Sequence, residues 1–292
     1  MSKETLLIIG AAGNNGVATI AALTEQHAQR FNVRAGVRSE HRAIELKSKF
    51  PLIETVVLDL DQPETLTTAM QGVDKLFLIL GNVENREQQA KHAIDAAVAA
   101  KSVKQVLFYS VFGAQYESIL FAKQFRAGEK YLEQSGLAWT HLRTIFFQQN
   151  FAGWAEGIKD GALYLAIKEG TFAPLNINDI GEIAANILVA DEHQNRAYDI
   201  TGPELLSGQQ LAVAFSEQTG KSVDYVSPDD NSTLESLLAA GWPKWQAQGM
   251  LELFSVFASN QAAVVSTDGA QLLGRPLTSI HDYIKQNISF FK

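Results

Sequence analysis

The residue types whose spacing points most clearly to chemistry are Gly10-Ala11-Ala12-Gly13-Asn14-Asn15-Gly16, set directly after the apolar run Thr5–Ile9. A strand that ends in such a turn and opens a helix offers free N–H groups and a partial positive charge to an anion. Each glycine has its own task in a pyrophosphate-binding turn. The first permits the tight bend, the second lets the backbone approach the phosphates, and the third lets helix and strand pack closely. Three glycines alone are weak evidence, and the bland reading is an ordinary Gly-rich turn. The strand–turn–helix setting makes all seven residues candidate contacts for a dinucleotide.

The second apolar run, Val33–Val37, ends in Arg38-Ser39, roughly 20 residues beyond the glycine turn. Sites for NAD usually carry an acid there to bond the ribose hydroxyls. Arg38 is a cation in its place, suited to a 2′-phosphate, and Ser39 can donate to the same group, while Glu40 partly neutralises the pair. The expected cofactor is therefore NADP(H), preferred over NAD(H). Asp59 and Leu60 end the third run, where a carboxylate can meet an adenine; the competing reading for Asp59 is a turn residue. Leu80, Gly81 and Asn82 follow the fourth run, and Ser110 and Val111 end the fifth. All of these fall at the carboxyl edge of an open α/β sheet, where ligands bind.

The elements that must position these residues are legible as a repeat. Short strands are expected at Thr5–Ile9, Val33–Val37, Thr55–Leu58, Leu76–Leu80, Val106–Tyr109 and Ala138–Leu142, being apolar and partly β-branched. Helices are expected between them, at about 16–27, 41–50, 63–70, 86–101 and 121–134. Asp61 and Glu64 read as a capping box around Pro63. The repeat predicts an α/β fold, a Rossmann-type doubly wound parallel sheet with a smaller α+β C-terminal lobe. The expected division is 1–150 for the dinucleotide-binding domain and 151–292 for the substrate lobe, with some segments returning to the sheet. In that lobe Ser207 and Gln210 box a helix running to Gly220, and Trp242-Pro243-Lys244-Trp245 reads as packing.

Composition removes other classes. The 292 residues carry a net charge of −8, with 46% apolar and 19% charged side chains, enough to bury a core. The acidic balance argues against direct nucleic-acid binding. The absence of cysteine excludes disulfides, thiolate nucleophiles and Cys-ligated metals. Six scattered histidines form no i,i+4 pair, so no metal site is expected. No apolar stretch reaches the roughly 18–20 residues of a membrane span, and the expectation is a cytoplasmic protein without membrane contact.

The chain resembles the NmrA-like group of atypical short-chain dehydrogenases/reductases. The resemblance rests on Gly10-x-x-Gly13-x-x-Gly16, Val33-Arg34-Ala35-Gly36-Val37-Arg38 and Asp59-Leu60-Asp61-x-Pro63. It continues through Glu129-x-x-Leu132-x-x-Ser135-Gly136-Leu137-x-Trp139-Thr140-x-Leu142-Arg143, Phe147-x-x-Asn150 and Tyr198-Asp199-Ile200-Thr201-Gly202-Pro203-Glu204. It implies an NAD(P)-binding domain, a smaller lobe and a cleft between them. Members include quinone and dye reductases and also redox-sensing regulators.

The proton donor is the gap in this reading. The wider superfamily uses Tyr-x-x-x-Lys, but Tyr109, Tyr116 and Tyr131 are followed four residues later by Gly113, Leu120 and Ser135. Some relatives place Lys or His four residues before the equivalent of Glu129, where this chain has Phe125. Lys123 and Tyr116 remain as weak catalytic candidates; Lys123 is two positions away, about 200° around a helix. A quinone or cationic dye accepts hydride and takes its proton from water, so an aromatic slot serves better than a tuned acid. Phe112, Phe146, Phe147, Asn150, Phe151 and Trp154 are the candidate substrate residues, against the ordinary alternative of core packing. Asn150 is polar within that run and wants a hydrogen-bond partner. Two readings follow. The first is an enzyme, an NADPH-dependent oxidoreductase transferring hydride to a small aromatic or quinone-like acceptor. The second is an NADP(H)-sensing regulatory protein without turnover, with a homo-oligomer or a regulatory protein as partner.

Overall fold

The computed structural model describes residues 3–292. Its first half alternates strand and helix: β1 (Glu4–Ile9), α1 (Asn14–Gln26), β2 (Phe31–Val37), α2 (Glu40–Lys49), β3 (Glu54–Val57) and α3 (Pro63–Ala69). It continues with β4 (Lys75–Leu78), α4 (Arg86–Ala100), β5 (Gln105–Val111), α5 (Leu120–Glu133) and β6 (Ala138–Thr144). Next come α6 (Ala155–Lys159), β7 (Ala162–Tyr164), β8 (Thr171–Phe172), α7 (Ile177–Val189) and β9 (Arg196–Ile200). The remainder holds β10 (Leu206–Ser207), α8 (Gly208–Thr219), β11 (Asp224–Val226), α9 (Asp230–Ala239), α10 (Lys244–Ala258), α11 (Asp268–Leu273) and α12 (Ile280–Gln286).

The chain divides into two compact units. The first comprises the segment up to Glu117, Ala122–Arg143 and Ile177–Asp199. The second comprises Ser118–Phe121, Thr144–Asn176 and Ile200–Lys292. No single cut at residue 150 gives these units, because α7 and β9 return to the first. They return for a physical reason: Ile180, Ile183, Ala184, Ile187 and Leu188 are buried, and α7 packs tightly on α1. A Cβ on Gly181 would stand 2.6 Å from the Ala18 backbone, so this helix pair needs glycine there.

The first unit is a seven-stranded sheet in the order β3-β2-β1-β4-β5-β6-β9. The pairings β1–β2, β2–β3, β1–β4 and β4–β5 are parallel. Strands β1, β4 and β5 are buried almost throughout, as strands covered by helices on both faces must be. This is the Rossmann-type arrangement, and it brings the carboxyl ends of β1, β2, β4 and β5 to one edge. On one face, Leu66, Met70, Ala90, Ile94, Phe108 and Leu132 belong to the same core cluster.

One capping expectation is corrected. Gln62, not Asp61, precedes α3, and no side chain caps that helix. Asp61 instead accepts hydrogen bonds from Asn85 Nδ2 (2.7 Å) and Gln89 Nε2 (2.9 Å), fastening the loop before α3 to α4. Pro63 at the first turn already removes one N–H that a cap would serve.

In the second unit β10 pairs antiparallel with β8, and β11 pairs parallel with β7. Ser207 and Gln210 form the expected capping box on α8. Gln148–Trp154 is a 3-10 turn that leads into α6. Trp245 meets Phe121 edge-on at 6.5 Å, in keeping with a packing role for that segment. Among the described residues, no helix is long and apolar enough to cross a membrane.

Candidate functional site

The three glycines of the turn after β1 are glycine for different reasons. Gly10 has φ +80°, and a Cβ there would stand 2.5 Å from the Ile79 carbonyl oxygen. A Cβ on Gly16 would stand 2.6 Å from the backbone oxygens of Gly10 and Ala11. The fold therefore demands both. Gly13 is different: it is exposed, its φ of −81° suits any residue, and its Cβ would meet only the Gly10 oxygen at 3.3 Å. Among the described residues no other side chain lies within 4 Å of that Cβ position, which leaves the room a phosphate group needs.

The helix that follows is prepared for an anion. Gly13 is the N-cap of α1, no side chain caps it, and its first turn holds no acidic residue. The N–H groups and dipole of this 13-residue helix thus face no protein carboxylate of their own first turn. Beside them Asn15 Oδ1 is buried without a hydrogen-bond partner among the described residues, a polar demand still unmet at the turn.

At the end of β2, Arg38 and Ser39 are both exposed. Arg38 makes no hydrogen bond or ion pair among the described residues, the adjacent Glu40 included. The charges beside it pair elsewhere: Arg42 and His41 both pair with Glu45. Ser39 Oγ accepts weakly from the Arg42 N–H at 3.4 Å as the cap of α2, leaving its O–H free to donate.

Asp59 is taken up locally. Its Oδ1 accepts from the Asp61 N–H at 3.0 Å and its Oδ2 from Gln62 Nε2 at 3.4 Å, which is the turn-residue reading. The Leu60 side chain is buried, and its carbonyl accepts from His92 Nδ1. After β4, Leu80 is buried while Gly81 and Asn82 are exposed. Gly81 has open space where a Cβ would point and needs no positive φ, so the fold does not dictate glycine there either.

Ser110 requires a correction. It is 1% exposed, and its hydroxyl donates at 2.6 Å to Glu129, so that hydroxyl is directed into the protein interior. The cause is Glu129 itself, a carboxylate at 0% exposure that must collect donors. Arg143 binds it in bidentate fashion, Nε at 2.8 Å and Nη2 at 2.7 Å, and Arg126 adds a third bond at 2.9 Å. Arg126 also pairs with Glu133, to which buried His141 donates through Nε2 at 3.1 Å. Glu129, Glu133 and His141 bring potential ligand atoms within 4.8 Å of one another. Two guanidiniums already occupy those carboxylates, and their charge opposes a cation. Sequence reading passed over this network because Glu129 and Arg143 are 14 residues apart on different elements.

The network gives stability a pH dependence. Burial pulls the His141 imidazole below its ordinary 6.5, and the neighbouring carboxylates only partly offset this. Burial pushes the Glu129 carboxyl up, but hydrogen bonds from Arg143 and Ser110 with the His141 charge outweigh it, and the net direction is below 4.5. Glu133 is lowered likewise, its burial outweighed by Arg126. A histidine lowered in the folded state makes the unfolded chain bind protons first, so stability is lost as pH falls below 6.5. The lowered carboxyls stabilise above 4.5, and that contribution is lost as pH falls through their folded values. The expected result is a urea midpoint that declines below pH 6.5 and more steeply below pH 4.5; a midpoint flat from pH 7 to 4 would contradict it.

The remaining candidates separate clearly by burial. Tyr116 is 74% exposed on the turn Ala114–Tyr116, and Lys123 is exposed on α5; no hydrogen bond joins them. Val111 and Phe112 are half-buried at the end of β5. In the second unit, Phe151 is 0% exposed, with Phe146, Trp154 and Phe215 around it, and Phe146 also packs on Phe172 and Phe257. These two rings build the core of that unit. Phe147 and Trp154 keep partial exposure, and Asn150 is exposed, so its amide is open to solvent and not buried within the aromatic run.

Arg86 was not anticipated at all. It opens α4 yet is only 1% exposed, because its side chain turns back beneath the loop after β4. No spacing in the sequence marks it.

Comparison with known proteins agrees with this geometry. The model of the NmrA-like family matches residues 2–283. The NAD(P)H azoreductase of Xenophilus azovorans is 29% identical over 98% of this chain and 99% of its own. The NADPH-dependent quinone oxidoreductase of Escherichia coli, in complex with NADPH, superposes with a TM-score of 0.89 at 26% identity, covering 97% of this chain and all of that one. The triphenylmethane reductase of Citrobacter sp., in complex with NADP(H), gives 0.88 at 25% identity over 97% and 99% of the two chains.

Proposed function

This chain belongs to the NmrA-like family, and from that premise we propose that it is an NADPH-dependent oxidoreductase passing hydride to a small aromatic, quinone-like or dye acceptor. The observation that carries the reading is Gly13, a glycine that the fold does not need, at the uncapped N-terminus of α1. The NADPH-bound quinone oxidoreductase and the NADP(H)-bound dye reductase, similar over nearly their full lengths, support it.

The bound nicotinamide supplies the hydride. The chain's own residues then have the following tasks. Backbone N–H groups from Gly13 to Gly16 receive the pyrophosphate, and Gly13 lets it come close. Arg38 and the Ser39 hydroxyl receive the 2′-phosphate. Leu80, Gly81, Asn82 and Val111 complete the cofactor's surroundings, with Asp59 keeping to its turn. Phe112, half-buried at the end of β5 in the first unit, offers aromatic surface for a flat acceptor. Tyr116 and Lys123 are exposed, and the acceptors proposed take their proton from water.

Stopped-flow oxidation of NADPH with a panel of quinones and azo dyes tests the proposal. Acceptor-dependent loss of the nicotinamide signal is expected, and tight binding without turnover of any acceptor would instead support the sensor reading. Arg38→Ala should weaken NADPH by about 1–3 kcal/mol and leave NADH nearly unchanged. Equal losses for both dinucleotides in a fluorescence titration would remove Arg38 from this role.

A further inference from the structure

We infer that Arg86 is a positioning residue for the cofactor: it locks the Asn82 side chain so that its amide N–H2 is presented as a donor to the dinucleotide. The inference rests on the reading of the Gly10–Gly16 turn as a dinucleotide site.

Arg86 reaches three groups from beneath the loop after β4. Its Nε donates to the Gly81 carbonyl at 3.1 Å, its Nη2 to Asn82 Oδ1 at 3.1 Å, and its Nη1 to Gln124 Oε1 at 2.5 Å. Gln124 in turn donates through Nε2 to the Glu84 carbonyl at 3.0 Å, closing a ring of bonds around the loop. The guanidinium lies over the Phe125 ring, 4.4 Å from its centroid. Its plane is thereby fixed from one side while its edge holds the loop.

The chemistry of the partners gives the loop a direction. A guanidinium has only donors, so the oxygen of the Asn82 amide must face Arg86. The nitrogen of the same amide then points away from it, on an exposed residue. Gly81 beside it leaves open space where a Cβ would be. Register places this loop against the glycine turn: β1 and β4 are paired neighbours, and the Gly10 Cβ position would lie 2.5 Å from the Ile79 oxygen. The oxygen-rich ribose and phosphate groups of a dinucleotide are acceptors, and a fixed amide N–H2 is the complementary group.

A lysine cannot replace this fork, because an ammonium is a point donor and does not hold three acceptors in one plane. Burial disfavours the charge, drawing the guanidinium down to about 10, still protonated at neutral pH. A site that merely needed a filled space would hold an apolar side chain more cheaply.

The test is a double-mutant cycle on the full chain, with NADPH affinity read by nicotinamide fluorescence and folding by the thermal midpoint without cofactor. Asn82→Ala should raise the NADPH Kd about 5–10-fold, as loss of one hydrogen bond to a charged or polar partner does. Arg86→Lys should raise it by at least as much. The double variant should be no weaker than Arg86→Lys alone, since Arg86 acts through Asn82. Effects that multiply, or an Asn82→Ala Kd within twofold of the parent, would overturn the assignment. If Arg86→Lys fails to fold, Asn82→Ala alone decides by the same criterion. A parent protein that binds neither dinucleotide would overturn the cofactor reading itself, and this assignment with it.

Discussion

Replacing Gly13 with valine should abolish NADPH binding at working concentrations while the protein remains folded: that is the largest effect on binding this structure predicts. The backbone of Gly13 is extended at φ −81° and ψ 166°, a conformation that a β-branched residue adopts readily. Among the described residues its Cβ would meet one atom, the Gly10 carbonyl oxygen at 3.3 Å, which must give by a few tenths of an ångström; with the poorer N-cap the cost to the fold is about 1–2 kcal/mol. The space that the side chain fills is the space over the helix N-terminus. Displacing a pyrophosphate from those N–H groups should weaken binding 100-fold or more, about 2.7 kcal/mol. Gly16→Val is the contrast. Its Cβ would lie 2.6 Å from backbone atoms on both Gly10 and Ala11, and the chain should fail to fold. Thermal midpoints and NADPH titrations of the two variants check the pair. Retained affinity in a folded Gly13→Val protein would mean that the turn does not hold a dinucleotide.

The second large effect concerns stability. Arg143→Met strands the Glu129 carboxylate, which is fully buried and loses two of its charged hydrogen bonds. Removing one member of a buried ion pair costs about 3–5 kcal/mol, because the buried charge left behind keeps only Arg126 and Ser110 as partners and no water replaces the lost guanidinium. Removing both is different. In the double variant Arg143→Met with Glu129→Leu, much of that loss should return, as it does when a buried pair gives way to well-packed apolar groups. Urea unfolding of the parent, single and double variants measures this. A single variant within about 1 kcal/mol of the parent would show that Arg126 and Ser110 alone satisfy Glu129.

These two sites show what the sequence made legible. The glycine turn is a local pattern, with its strand before it and its helix after it, so seven consecutive residues carry the whole message. The proposed role of Arg38 rests on an equally local pattern, one strand later. The repeat of strands and helices implied a doubly wound parallel sheet, and the element boundaries fell within a few residues of those expected. The Ser207–Gln210 box on α8 is equally local and holds.

What escaped was non-local. Asp61 looked like a cap because sequence shows only its neighbours, while its actual partners, Asn85 and Gln89, lie 24 and 28 residues away. Ser110 looked like an edge residue because it ends a strand, but a buried carboxylate on α5 takes its hydroxyl. Phe146 and Phe151 looked like one wall with Phe147 and Trp154, yet a 3-10 turn sorts these rings by exposure. Arg86 had no signature, since only the folded loop shows what its side chain holds. Returning segments such as α7 and β9 are similarly invisible to a linear boundary.

The measurement that bears most directly on the central claim is a fluorescence titration of the purified protein with NADPH and with NADH. The account predicts micromolar NADPH binding, with NADH about 10-fold weaker or more, because unpaired Arg38 adds a charged contact only to the 2′-phosphate. Failure to bind either dinucleotide would contradict the assignment of the Gly10–Gly16 turn and the function built on it.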